Sequence, residues 1–158
     1  MVMDDTSTRS GYLPDEAATL GLGASLAQAI IPGMVIFLEG DLGAGKTTLT
    51  RGLLQGLGHQ GRVKSPTYTL VETYPLASLT AHHFDLYRFN DPEEWEDAGF
   101  RELFGHDTLC LVEWPEKAQG LLPQPDLTLA LAVADDGRTY RIHAHDAQGI
   151  QCLSRLSI

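Results

Sequence analysis

Residues 34–48, Met34-Val35-Ile36-Phe37-Leu38-Glu39-Gly40-Asp41-Leu42-Gly43-Ala44-Gly45-Lys46-Thr47-Thr48, decide the fold. The run 34–38 is wholly apolar, short and bounded by glycines, which is how a strand buried on both faces reads. Residues 40–47 fit the phosphate-loop spacing, in which glycines let backbone N–H groups converge on phosphate oxygens at a helix N-terminus. Good helix formers follow, with Leu49, Leu53 and Leu57 along one side and Gly58 placed as a C-terminal cap. In a strand–loop–helix unit of this kind, Gly43, Ala44 and Gly45 line the phosphates and Lys46 reaches the β- and γ-phosphates. The Thr47 hydroxyl is placed to ligate Mg²⁺, and Thr48 adds a hydrogen bond.

Upstream, a loose beginning gives way to Leu13-Pro14-Asp15-Glu16, a helix start with acids in its first turn. Leu22, Leu26 and Ile30 follow at helical spacing, and the helix ends near Pro32-Gly33. Downstream, 67–74 and 81–86 are β-prone and form either a hairpin or two neighbouring strands. Asp91-Pro92-Glu93-Glu94 opens a helix that runs to about Phe104. A second buried strand, 109–112, ends at Glu113, and 115–119 makes a short helical turn. Residues 127–134 and 139–144 flank an aspartate–glycine pair that marks an antiparallel hairpin, and a short helix around 150–156 closes the chain. The expected fold is a single α/β domain over residues 1–158: a P-loop NTPase with a mostly parallel central sheet, flanking helices and a C-terminal antiparallel hairpin.

A phosphate loop that supports chemistry needs a carboxylate at the end of a neighbouring strand, to hold the metal or its water and to polarise the attacking nucleophile. Asp85 and Glu113 both end β-prone runs. Both are expected at the metal, Glu113 as the more direct ligand and Asp85 through water or as the activating base. Trp114 follows Glu113 directly and reads either as an indole against the nucleotide or as a core or partner-facing residue. Ser65-Pro66-Thr67-Tyr68-Thr69 lies where nucleotide switch loops lie, and reads equally as an ordinary loop entering a strand. His82 and His83 point to opposite faces of a strand. His143 and His145 share a face but lack the cysteines or acids that would complete a zinc site.

The chain has 158 residues, with 21 acidic against 11 basic and a formal charge of -10, a balance that works against sequence-independent binding of nucleic acid or an anionic membrane. A local patch around Arg51, Arg62 and Lys64 is a candidate phosphate contact, set against the commoner reading of charged runs as solvated faces. Cys110 sits in an apolar run and reads as a buried free thiol, so no disulfide with Cys152 is expected. Residues 1–9 do not resemble a signal peptide, and no apolar run approaches the length of a membrane span, which makes the cytoplasm the expected compartment.

GTP is disfavoured, because the only asparagine, Asn90, does not begin an Asn-Lys-x-Asp base-recognition motif. A small-molecule P-loop kinase is the alternative, though after Glu113 only Arg138, Arg141 and Arg155 are available to a phosphate-closing lid. Residues 40–48, Lys64-Ser65-Pro66-Thr67-Tyr68-Thr69-Leu70-Val71-Glu72, His83-Phe84-Asp85-Leu86-Tyr87-Arg88, Asp91-Pro92-Glu93-Glu94 and Leu111-Val112-Glu113-Trp114-Pro115, taken in order, resemble the TsaE (YjeE) family. The resemblance runs from about Leu13 to the hairpin near Arg138.

It implies an ATPase that works with TsaD and TsaB to install N6-threonylcarbamoyl on a tRNA adenosine, with tRNA handled only through that complex. It also implies functional roles for Lys46, Asp85, Glu113 and Trp114, Mg²⁺ ligation by Thr47, and an approach of Glu16 and Arg138 to the nucleotide. Trp95, Asp97, Ala98 and the C-terminal third depart from the family pattern.

Overall fold

A computed structural model describes residues 6–157. The chain order is β1 (Thr8–Leu13), α1 (Glu16–Ala29), β2 (Val35–Glu39), α2 (Lys46–Gly56), β3 (Val71–Pro75), β4 (Thr80–Asp85), α3 (Glu93–Ala98), β5 (Thr108–Glu113), β6 (Leu127–Ala134), β7 (Gly137–Ala144) and α4 (Ala147–Arg155). All strands join one sheet in the order β1-β7-β6-β2-β5-β4-β3.

The sheet is mixed, which corrects the expectation of a mostly parallel one. β2–β5, β2–β6 and β4–β5 are parallel, while β1–β7, β6–β7 and β3–β4 are antiparallel. The parallel pairs join strands linked through crossovers, the direct hairpins β3–β4 and β6–β7 pair antiparallel, and β1 adds antiparallel to the β7 edge although the two lie far apart in the chain.

Period-two alternation sorts the side chains onto two faces. Leu109 and Leu111 of β5, with Ala81 of β4 and Ile36 and Leu38 of β2, face a core completed by Leu22 and Leu26 of α1 and Leu49 and Leu53 of α2. Val35, Phe84, Cys110 and Val112 face the opposite way, onto Trp95, Phe89 and Ala118. Cys110 and Cys152 are buried free thiols, as expected.

α1 and α2 lie unusually close because glycines meet at their crossing. A Cβ built on Gly23 would stand 2.4 Å from the Leu49 carbonyl oxygen, and one on Gly52 2.3 Å from that of Leu20.

Three further local expectations change. The helix expected over 91–104 is broken: α3 ends at Gly99, which is left-handed with φ 72°, and a 3₁₀ turn follows at Phe100–Leu103. The break brings Trp95, Phe100 and Phe104 together around Phe84, with ring centroids 5.3–5.4 Å from it. The beginning of the chain is not loose where described, because β1 pairs along its whole length with β7. The two-residue hairpin loop is Asp135–Asp136, with Asp135 at φ 52°, and Gly137 already belongs to β7. Gly137 is needed for space, since a Cβ there would meet the Leu13 carbonyl oxygen at 2.2 Å.

At the end of the sheet away from the glycine loop, the buried Asp126 carboxylate accepts the Val35 N–H at 2.7 Å. Burial and a hydrogen bond shared with Asp146 push its pKa up to about 6. A raised acid pKa means that the folded state holds a proton the unfolded chain has released. The contribution to stability is therefore full below about pH 4, falls between about pH 4 and 6, and is lost above. Asp126→Asn keeps an acceptor for Val35 and carries no charge, so its stability relative to the parent should rise by about 1 kcal/mol between pH 4 and pH 8. Thermal melts of both proteins across that range measure the difference.

Candidate active site at the glycine loop

The parallel register brings three strand ends together. Leu38 of β2 stands beside Glu113 of β5, which stands beside Asp85 of β4, so both acids emerge at the sheet edge over which the 40–45 loop turns. In α/β sheets this carboxyl edge is where ligands bind. Alternation along the strands places His83, Asp85 and Glu113 on the face covered by α2. Gly45 caps α2 in a left-handed conformation, φ 105° and ψ 13°, and is followed by Lys46 in the first helical turn.

Gly43, Gly45, Lys46, Thr47, Thr48, Ser65, Thr67, Asp85, Glu113 and Arg138 line a cavity of about 270 Å³ together with Leu42. Lys46, Asp85 and Glu113 are each only 4–5% exposed. The Lys46 ammonium donates to the Gly40 carbonyl at 2.5 Å, stands 3.6 Å from Glu113 Oε1 and lies 4.2 Å from the centre of the Trp114 ring. Glu113 Oε2 accepts from His83 Nε2 at 2.6 Å. Burial by itself would raise the Glu113 carboxyl, but the His83 hydrogen bond and the nearby positive charge of Lys46 outweigh it and hold the group below its ordinary pKa. Glu113 is therefore an ionised carboxylate with one oxygen on His83 and the other turned toward Lys46.

Asp85 is held from below by the loop it faces. Its Oδ1 accepts the Tyr87 N–H at 2.9 Å and its Oδ2 accepts the Thr67 hydroxyl at 3.2 Å. Thr67 is in turn 2.9 Å from the Ser65 hydroxyl. The 65–70 segment is thus tied to a site carboxylate as well as being an entry to a strand.

From the far side, Arg138 of β7 donates to the Ala44 carbonyl at 3.0 Å and the Gly43 carbonyl at 3.1 Å, clasping the glycine loop. A second cavity of about 180 Å³, lined by Asp15, Glu16, Thr19, Gly45, Thr48 and Arg138 among others, shares its last three residues with the first. Glu16 lies at its rim, paired with Arg51 at 2.8 Å.

Trp114 is not part of either cavity wall. Its indole packs on Lys46 and, at 5.0 Å between centroids, on Tyr87. The Arg51–Arg62–Lys64 patch does not assemble as a free basic surface, because Arg51 is already paired. His143 and His145 stack edge to face at 4.8 Å, and among the described residues no group of three or more His, Cys, Asp or Glu is arranged to hold a metal.

The family model for threonylcarbamoyl adenosine biosynthesis protein TsaE matches residues 13–142. The chain belongs to the TsaE family. A TsaE protein of Haemophilus influenzae is 48% identical over 151 residues, covering 92% of this chain and 96% of that one. One of Bacillus subtilis is 43% identical over 124 residues, covering 78% and 75%. The crystal structure of Bacillus subtilis YdiB superimposes with a TM-score of 0.78 at 32% identity, covering 94% of this chain and 95% of that one. TsaE proteins take their name from tRNA threonylcarbamoyladenosine biosynthesis, and this chain shares that assignment at the level of the family.

Within this TsaE chain, sequence reasoning passed over His83. The signal was present: His83 is two residues before Asp85 and so shares its face. The pairing with Glu113 depends on parallel register between β4 and β5, which the sequence does not carry.

Proposed function

We propose that the chain is a Mg²⁺-dependent ATPase with a P-loop NTPase site, acting in the cytoplasm in tRNA threonylcarbamoyladenosine (t6A) formation together with TsaB and TsaD. The carrying observation is the convergence of Lys46, Thr47, Asp85 and Glu113 on one cavity under the glycine loop, in a member of the TsaE family. Among the described residues no helix is long and apolar enough to cross a membrane, in keeping with that setting.

The donor set fits the metal. Thr47 supplies a hydroxyl and Glu113 and Asp85 supply carboxylates, all hard oxygen ligands of the kind Mg²⁺ takes beside phosphates. When bound, Mg²⁺ would neutralise charge developing on the phosphate oxygens. The nucleotide would run from this cavity into the adjoining one, with phosphates on residues 43–48 and the nucleoside toward Glu16, Thr19 and Arg138.

In this reading Lys46 leaves Gly40 and Glu113 to meet the β- and γ-phosphates, and the developing negative charge is balanced by its ammonium. Asp85 and Glu113 are left to orient water for in-line attack on the γ-phosphate. Trp114 acts on Lys46 as a cation–π partner from the wall of a neighbouring cavity that it shares with Lys46, Gly40 and Asp41. The tRNA is held by the partner complex, consistent with a net charge of -10.

The test is a purified system of TsaB, TsaD, threonylcarbamoyl donor and tRNA, assayed for phosphate release and for tRNA modification with and without this chain. Modification that turns over only with the intact protein and Mg²⁺-ATP supports the reading. Modification indifferent to the protein removes the pathway assignment, and an absence of partner-stimulated phosphate release removes the ATPase.

A further inference from the structure

The proposed ATPase uses Glu113, and behind Glu113 stands a fully buried histidine that the proposed chemistry does not use. His83 is 0% exposed, and its Nε2 lies 2.6 Å from Glu113 Oε2. Its other ring nitrogen, Nδ1, is buried with no hydrogen-bond partner.

Nε2 is the ring nitrogen that meets Glu113, and among the described residues Nδ1 has no partner. A histidine placed here only to fill space would be replaceable by leucine, with no orphaned nitrogen. The one hydrogen bond that it makes is to Glu113.

That bond restricts Glu113. One carboxylate oxygen is occupied from behind by His83, so only Oε1 faces Lys46 and the cavity. Free carboxylates can turn either oxygen, or both, toward a cation, and partners behind a ligating group fix which is offered. We infer that His83 is a positioning residue for the proposed reaction, holding Glu113 so that it presents a single oxygen, Oε1, which Lys46 occupies in the nucleotide-free protein and which is available to a divalent cation once Lys46 moves to phosphate. The inference rests on the proposed Mg²⁺-ATP site. It makes His83 act through Glu113, without contact to nucleotide.

Three proteins test it: the parent, His83→Leu, which fills similar volume without a donor, and His83→Gln, whose side-chain amide reaches far enough to restore an N–H to Glu113. Nucleotide affinity is measured for ATP in EDTA and then as Mg²⁺ is titrated, alongside a thermal melt of each protein. In EDTA the three should bind ATP within about twofold of one another. The Mg²⁺ concentration for half-maximal binding should rise about 10-fold or more in His83→Leu and return to within about threefold of the parent in His83→Gln. At saturating Mg²⁺, KM for ATP should recover in His83→Leu more fully than kcat.

Equal Mg²⁺ dependence in the parent and His83→Leu overturns the inference. So does an equal defect in both variants, or loss of ATP binding in EDTA that tracks the melt, which marks His83 as packing only. A parent protein that binds ATP no better with Mg²⁺ than in EDTA overturns the metal site itself, and this result is distinguishable because it appears before any substitution is made.

Discussion

Lys46→Ala should reduce phosphate release by about 10²–10³-fold, the range found when one preorganised charge donor is removed from a reacting oxyanion. The side chain is 5% exposed and carries the only ammonium that lines the cavity, so water cannot substitute for it at the same position. The variant also loses the cation beside Glu113. Since Lys46 is one of the causes that lower the Glu113 carboxyl, that group should move back upward in the variant. Lys46→Arg should not rescue turnover, because a planar guanidinium fork does not reproduce the compact point charge that the proposed site brings to the β- and γ-phosphates. Steady-state phosphate release, normalised to the folded fraction from circular dichroism, measures the effect apart from stability.

The second large effect is expected where no chemistry occurs. Gly52→Ala should destabilise the fold by about 2 kcal/mol or more, even though alanine is the better helix former by about 1 kcal/mol. The new methyl would stand 2.3 Å from the Leu20 carbonyl oxygen, a backbone atom that cannot turn aside, so α1 and α2 must separate. Separation opens the packing of Leu22 and Leu26 on Leu49 and Leu53. Gly21→Ala supplies the matched control: it is helical, exposed and has nothing within 4 Å of its Cβ position, so the same change there should stabilise by up to about 1 kcal/mol. Urea unfolding of the two variants should show midpoints shifted in opposite directions.

The contrast between these glycines shows what the sequence conveys and what it does not. The glycine loop, β2, β5 and α2 were legible because each has a strong local signature: a buried apolar run, a fixed loop spacing, a leucine stripe. The two acids were legible because each ends a β-prone run. β1 was not, because Thr8–Leu13 is an edge strand half open to solvent, and its partner β7 lies far along the chain. The break at Gly99 was hidden because its cause is the aromatic cluster around Phe84, assembled from α3 and the turn after it. The antiparallel β6–β7 hairpin was legible from its aspartate–glycine turn, and β3–β4 took the hairpin alternative of the two left open; the antiparallel docking of β1 on β7 was not legible, because pairing is decided between segments and period alone does not report it. Trp114 was read either as an indole against the nucleotide or as a core or partner-facing residue; its packing on Lys46 goes with a left-handed backbone, φ 58°, that sequence does not announce in a tryptophan.

The glycine contact between α1 and α2 also makes the two walls of the proposed nucleotide site unlike each other. α2 is seated directly against the backbone of α1, so the helix that follows the glycine loop has no room to shift toward α1. The opposite wall is different in kind: the 65–70 segment meets Asp85 through two hydrogen bonds, the Thr67 hydroxyl donating to Oδ2 at 3.2 Å and the Asp85 N–H donating to the Leu70 carbonyl at 3.0 Å, and on its outer side Tyr68 stands 80% exposed with the Arg88 guanidinium 4.2 Å over its ring. The acids are therefore joined on this side by hydrogen bonds to a loop, and on the other by helices packed backbone to backbone. A protein that senses whether the nucleotide is intact would have one face of this molecule to listen to.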